Sequence, residues 1–233
     1  MARRNGYSLV ELAIVLVVVG LMLQGTLGAV KTLRQAELRQ TEQRQQAQIG
    51  QTLLAFAVRT GHLPCPAALN AAPAQQGMEA RDAAGRCRMQ QGELPWRTLS
   101  IGRRDAWLRP YTYRVSASFA DLAPLSPGDS CARDAKPPAG MSFMLCSSGD
   151  ITLLDNVEDR NVIAQRIPLL LIAHGAHGPG ALTQRGMGGE GRNSQIGTEF
   201  IVAGAPGEAF DDLLFWINNE RLVEMALRAG RLP

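Results

Sequence analysis

The sequence predicts an α+β protein: a long N-terminal helix whose first half spans a membrane, packed on an antiparallel β-sheet head with disulfide-closed loops. Three observations carry this expectation. An apolar run from Tyr7 to Val30 continues into a polar, proline-free stretch over 31–60. Apolar, β-prone runs follow, separated by loops rich in Pro, Gly and Asp. The four cysteines, Cys65, Cys87, Cys131 and Cys146, all come after the helix, and none forms a CxxC pair. That pattern suits structural disulfides in an oxidising compartment better than a zinc site.

Composition agrees with a packed core, since 45% of the 233 residues are hydrophobic and 19% charged. A formal charge of +3 does not by itself argue for a nucleic-acid partner.

From Leu12 to Val30 there are nineteen residues without a formal charge. About 20 apolar residues cross the hydrocarbon core, so Tyr7 to Val30 reads as a span. A cleaved secretory signal has a shorter apolar region followed by a small-residue cleavage site. Here the helical pattern runs on through "QGTLGAVKTLRQAELRQ". Arg3 and Arg4 favour a cytoplasmic N-terminus, Lys31 and Arg34 blunt the asymmetry, and the cysteines place the head on the oxidising side. The expected location is therefore the inner membrane, crossed once, with the head in the periplasm. Residues 31–60 carry seven glutamines, and Ile49, Leu53, Phe56 and Ala57 recur at helical spacing. One helix of roughly 80 Å to about Thr60 is the simplest reading. Gly61 suits its C-cap, and Pro64 and Pro66 forbid continuation.

Glu11 stands alone among aliphatic residues, where a carboxylate in hydrocarbon costs about 2.5–3.5 kcal/mol. The plain reading places it at the lipid interface, beside the positive helix N-terminus. The sharper one needs a cation, and no Lys or Arg lies between Tyr7 and Val30. Cleavage after Gly6 would supply one, the amine of Tyr7, to face Glu11 of a neighbouring subunit in low dielectric. At this point "RRNG" followed by "YSLVEL" resembles the signature of type IV pilins and pseudopilins. Tyr7 stands where Phe is usual and Asn5 where Lys is commoner.

The resemblance implies a leader over 1–6 cut after Gly6 by a prepilin peptidase, and an N-methylated Tyr7. It implies an assembly helix over 7–30, its continuation over 31–60, and a globular head over 61–233. The partners implied are other pilin or pseudopilin subunits and an inner-membrane assembly platform. Either a minor type IV pilin or a type II secretion pseudopilin fits. "GHLPCPA", "GELPWRTL", "IAHGAHGPGA" and "FDDLLFWI" are similar to segments of a subgroup of proteobacterial pilin-like proteins.

In the head, strands are expected near Tyr111–Ser118, Met141–Ser147, Asp150–Leu154, Ile167–Ala173 and Glu199–Ala203. Loops are expected over 119–140 and 174–198. A helical stretch is expected over 211–229, with Asp211 or Asp212 as N-cap and a break at Asn218-Asn219. Four cysteines allow three pairings; Cys65–Cys87 with Cys131–Cys146 is favoured because each closes a local loop, worth about 3 kcal/mol in the chain-entropy model.

Several tempting sites have plainer readings. "GMGGEG" over 186–191 satisfies GxGxxG but lacks a following apolar helix and reads as a loop. His174 and His177 could ligate a metal with Glu190, though two histidines in a glycine-rich turn are weak evidence. Asp211 and Asp212 resemble the acidic loops that bind calcium in some major pseudopilins, but calcium takes six to eight oxygens, and a helix cap is the plainer role. Zinc through His62 and Cys65 is a minor alternative. Trp96, Trp107 and Trp216 read as core or interface anchors. The arginines at 97, 103, 104, 109 and 114 could meet phosphates only if they share a face. No Ser-His-Asp, Cys-His or paired-carboxylate arrangement stands out, so neither catalysis nor a resident cofactor is expected. A rival of another class is a membrane-anchored periplasmic enzyme or metal-binding protein built on His174 and His177.

Overall fold

The structure is a computed structural model that describes residues 8–122, 131, 136–176, 178, 188–204 and 210–232; of helix residues 21–29 only the backbone is described. Two compact units result, residues 1–41 and 42–233. Helix α1, Leu9–Thr60, is one continuous helix of 52 residues that contributes to both. It stops where Gly61 takes a φ of +84°. There the Gly61 N–H donates to Ala57 O at 2.8 Å. A Cβ at Gly61 would lie 1.6 Å from Gly140 O, so only glycine fits the cap.

Among the described residues, no helix is long and apolar enough to cross a membrane. This overturns the expected span over Tyr7–Val30 and, with it, the single-pass inner-membrane location. Among the described side chains, two features bear on it. The aliphatic stretch Leu9–Gly20, whose side chains are described, rises about 18 Å, against the roughly 30 Å of a hydrocarbon core. Beyond Val30, α1 carries Lys31, Arg34, Glu37, Arg39, Glu42 and Arg44 together with its glutamines.

Residues 42–233 form an α+β head. Its main sheet has four antiparallel strands in the order β1-β2-β5-β7. These are β1 Gln91–Glu93, β2 Thr112–Val115, β5 Leu169–Ala173 and β7 Leu213–Ile217. A second, three-stranded sheet has the order β4-β3-β6, from β3 Ile151–Leu154, β4 Val162–Ile167 and β6 Glu199–Ile201. This second sheet is mixed, because β3 pairs antiparallel with β4 and parallel with β6. Short helices α2 Trp96–Leu99, α3 Ala117–Ala120 and α4 Gly188–Asn193 decorate the loops, and α5 Asn219–Arg228 ends the fold.

The strand period of two explains the layering. Leu169 and Leu171 of β5 point to the core that contains Tyr113, Phe119 and Ile217 on the sheet side and Ile49, Leu53 and Ala57 of α1. Leu170 and Ile172 point the other way, into a second core with Ile151, Leu153 and Phe200. Strand β5 is therefore buried on both faces, which is why its sequence is a continuous apolar run rather than an alternation. Disulfides join Cys65 to Cys87 and Cys131 to Cys146, closing loops with sequence separations of 22 and 15. Arg81 braces the first loop, donating to Gly85 O, Ala120 O and Glu79 Oε2 at 2.7–3.0 Å.

Two expected elements take a different form. Residues 141–147 are no strand: Met141 and Phe143 are buried in the main core, while Ser142 N donates to Gly61 O and Ser142 Oγ to Phe119 O. Met141, Ser142 and Phe143 are buried in succession and the chain then turns at 145–146, so the apolar run fills the core without joining a ladder. The stretch 211–229 is not a single helix, because Leu213–Ile217 pairs with the edge of β5 as β7. The chain turns helical only after extended Asn218, so Asp211 and Asp212 cap nothing.

Leu53→Ala, which empties a fully buried position, is expected to cost about 3 kcal/mol. Leu33→Ala, on the same helix but 71% exposed, should stay within about 0.5 kcal/mol. Urea unfolding followed by circular dichroism compares the two.

Candidate functional site

The first candidate is the start of α1. Glu11 lies in its first turn and is exposed. Around it the helix is aliphatic on every side: Leu9, Val10, Leu12, Ile14, Val15, Leu16, Val17, Val18 and Val19 are exposed by between 43% and 86%. Gly6 and Tyr7 lie outside the described residues.

The second candidate is a buried polar cluster at one end of the main sheet, where β5 runs out into His174 and β7 is entered from Asp211 and Asp212. His174 Nδ1 lies 3.2 Å from Asp212 Oδ1, and Nε2 lies 2.8 Å from Thr112 Oγ1 at the start of β2. An ionised Asp212 accepts from Nδ1–H, and in the neutral imidazole of that tautomer Nε2 accepts from the threonine hydroxyl. The other Asp212 oxygen accepts from Asn193 Nδ2 at 2.8 Å, and Asn193 is itself paired through both side-chain ends to the backbone of Ile201. Glu190 of α4 accepts the Asp211 N–H at 2.9 Å. The backbone crosses this cluster at Gly175, where φ is +57° and a Cβ would lie 2.4 Å from Asp211 Cγ.

Glu190, Asp211 and Asp212 bring carboxylate oxygens within 4.8 Å of one another. Burial pushes the Glu190 carboxyl up to about 7, and the neighbouring aspartates add to the rise. An all-oxygen set of this kind suits a hard divalent cation. His174 is already engaged on both nitrogens, and His177 lies outside the described residues. Zinc through His62 and Cys65 fails, because Cys65 is in a disulfide and Arg81 lies 2.8 Å from His62 Nδ1. The order Thr112, His174, Asp212 is that of a nucleophile, base and orienting acid. Thr112 and His174 are each 1% exposed, so no substrate can reach the hydroxyl, and the chain of bonds acts as a tie between β2, β5 and β7.

A third polar group lies on α1. Glu42 is fully buried, accepting from Tyr111 Oη at 2.8 Å and from Ala106 N at 2.8 Å. Asp105, also buried, accepts the N–H groups of Trp107 and Arg109 through Oδ1, while its Oδ2 is buried without a hydrogen-bond partner. Burial raises both carboxyls above their ordinary range.

The sequence did not single out Thr112, Asn193, Glu42 or Asp105. For Glu42 a signal exists: 42, 46, 49, 53 and 56 fall on one helical stripe, so Glu42 and Gln46 continue the apolar face. The five arginines do not form a phosphate-binding face. Arg114 is buried against Asp150, Arg103 bonds Glu93, Arg97 lies over Trp96 and Arg109 turns to the carbonyls of Ala176 and Gly178. Residues 188–191 of the glycine-rich motif sit in helix α4 rather than in a loop. Trp216 packs against the second core, as an anchor would.

No protein-family model, no curated protein and no solved structure matches this chain.

The raised Glu190 carboxyl has a defined consequence. The folded state holds its proton more tightly than the unfolded chain does, so its contribution to stability falls as pH rises from about 4.5 through about 7. Glu42 and Asp105 act in the same sense, whereas His62, held low by burial, acts in the opposite one. The difference between wild type and Glu190→Gln isolates the effect. The wild-type Tm is expected to drop relative to the variant between pH 5 and pH 8, measured by differential scanning calorimetry; parallel profiles would exclude it.

Proposed function

We propose that this chain is a structural subunit of a pilin-like filament, a minor pilin or a pseudopilin, which assembles through the N-terminal part of α1. The observation that carries the reading is the aliphatic, all-round exposed stretch from Leu9 to Val19. A helix that is apolar on every side is stable only when covered. Within the described part of the first unit nothing covers it. Parallel copies of the same helix would, and their packed interior is the low-dielectric medium in which Glu11 requires a cation. Cleavage after Gly6 would supply the Tyr7 amine for that purpose and fix the axial register of neighbouring helices. The partners under this reading are a prepilin-type peptidase, sibling subunits and an assembly platform. The disulfide-closed head would form the filament exterior or tip.

A second reading, a metal-binding protein, is favoured by the Glu190–Asp211–Asp212 oxygens alone. Under it, millimolar calcium raises the Tm of the purified chain and a chelator reverses the rise; an unchanged Tm removes it.

Glu11→Ala is expected to leave folding of the head intact and to reduce incorporation into filaments by at least about tenfold, since it strips the bundle of one half of a buried ion pair. Co-sedimentation with sheared filaments measures this. Intact-mass analysis of the filament-associated protein should show a chain beginning at Tyr7, and retention of residues 1–6 would refute the ion-pair mechanism.

A further inference from the structure

Two turns of the head each present one aliphatic side chain at the tip, and they carry opposite charge. The first is the turn after α2. Leu108, at its tip, is 70% exposed and holds a φ of +65°, a conformation that a branched L-residue rarely adopts. The conformation is imposed by the surroundings. Asp105 Oδ1 accepts from Trp107 N and Arg109 N, Leu108 N donates to Asp105 O, and the buried Glu42 takes the N–H of Ala106. Gln45 of α1 donates to Arg104 O, and Arg104 Nη1 to Leu108 O. Two buried carboxylates thus hold rigid a turn whose apolar tip faces solvent. Arg104 is exposed beside that tip, and Leu108 O accepts from its Nη1.

The second turn joins β3 to β4. Asp155 Oδ1 accepts from Asn156 N and Asn161 N, and Asn156 Oδ1 from Glu158 N and Asp159 N. Val157 is 41% exposed at its tip, flanked by the exposed carboxylates of Glu158 and Asp159. The one cation of the turn, Arg160, is directed away to Glu199 at 3.0 Å. An aliphatic tip ringed by negative charge is the complement of an aliphatic tip beside an exposed cation.

We propose that the Leu108 turn of one copy docks on the Val157 turn of a second copy, with Arg104 set against Glu158 and Asp159. The two patches differ, so the contact is heterologous: each copy offers one unused patch of each kind, and the association propagates head to tail. The contact rests on the filament reading and adds to it a register between heads, independent of the packing of α1.

Every cysteine of the chain is already in a disulfide, so introduced thiols are unique. Full-length chains carrying Leu108→Cys are mixed with chains carrying Val157→Cys, oxidised mildly and resolved without reductant. The mixture should give a cross-linked dimer, and the doubly substituted chain a ladder, while either variant alone gives little. Arg104→Glu should lower the yield by about tenfold, and Glu158→Arg with Asp159→Arg should restore it. Leu108→Gly in the otherwise unsubstituted chain, which suits the backbone of the turn, should keep the fold and abolish head-to-tail association in solution, read by analytical ultracentrifugation. Equal yields from single variants, no product from the mixture, or indifference to charge reversal would each overturn the contact. Cross-linking through Ile14→Cys reads the α1 packing separately: product there but none through the two turns overturns this contact alone. The reverse result retains it and sinks the assembly through α1.

Discussion

One stripe along α1 organises the head. Ile49, Leu53, Phe56 and Ala57 are buried in the main core, and Glu42 and Gln46 extend the same line toward the N-terminus. The apolar members cover one face of the four-stranded sheet. The polar members place the sheet's flanks: Glu42 holds the turn that leads into β2, and Gln46 donates to Leu213 O at the start of β7. Remove the stripe and the inner face of β5 opens to water, with both neighbouring strands losing their anchor.

The polar interior follows from that arrangement. Strand ends meeting a helix leave donors and acceptors that water cannot reach, and each needs a partner. Tyr111 and Ala106 meet Glu42; Thr112, His174, Asp212 and Asn193 satisfy one another in series. Buried charge of this kind adds little net stability against an apolar replacement, yet removing one member strands the rest. It makes alternative registers of β2, β5 and β7 costly, since a one-residue slip would turn His174 and Thr112 to opposite faces. These bonds tie β2, β5 and β7 in one register, with Thr112 and His174 each 1% exposed.

The same helix carries a surface with the opposite need. From Leu9 to Val19 its side chains are aliphatic and exposed, whereas the glutamine-rich middle is comfortable in water. Contiguous exposed aliphatic surface of this kind marks a candidate interaction site. Under the filament reading, copies of the same helix would cover it. The rigid turns at Leu108 and Val157 show the same economy on the head, where ordered backbone holds an isolated apolar tip toward solvent.

How much of this was written in the residue order depends on whether the signal is local. The continuous helix to Thr60, its glycine cap, the break before Asn219 and the α+β class follow from periodicity, φ preferences and proline, all of which act within a few residues. The span expected over Tyr7–Val30 is not among the described helices, none of which is long and apolar enough to cross a membrane. Residues 141–147 and 213–217 show the limit from the other side. Each alternates or runs apolar, and only the presence of an open edge on β5 decided that the second becomes a strand while the first stays a buried loop. The bonds among Thr112, His174, Asn193 and Asp212 join residues 19, 38 and 62 positions apart, and Glu42 takes the N–H of Ala106 from 64 positions away. Local preference carries no information over such distances, because their meeting is set by the register of three strands and by the stripe of one helix.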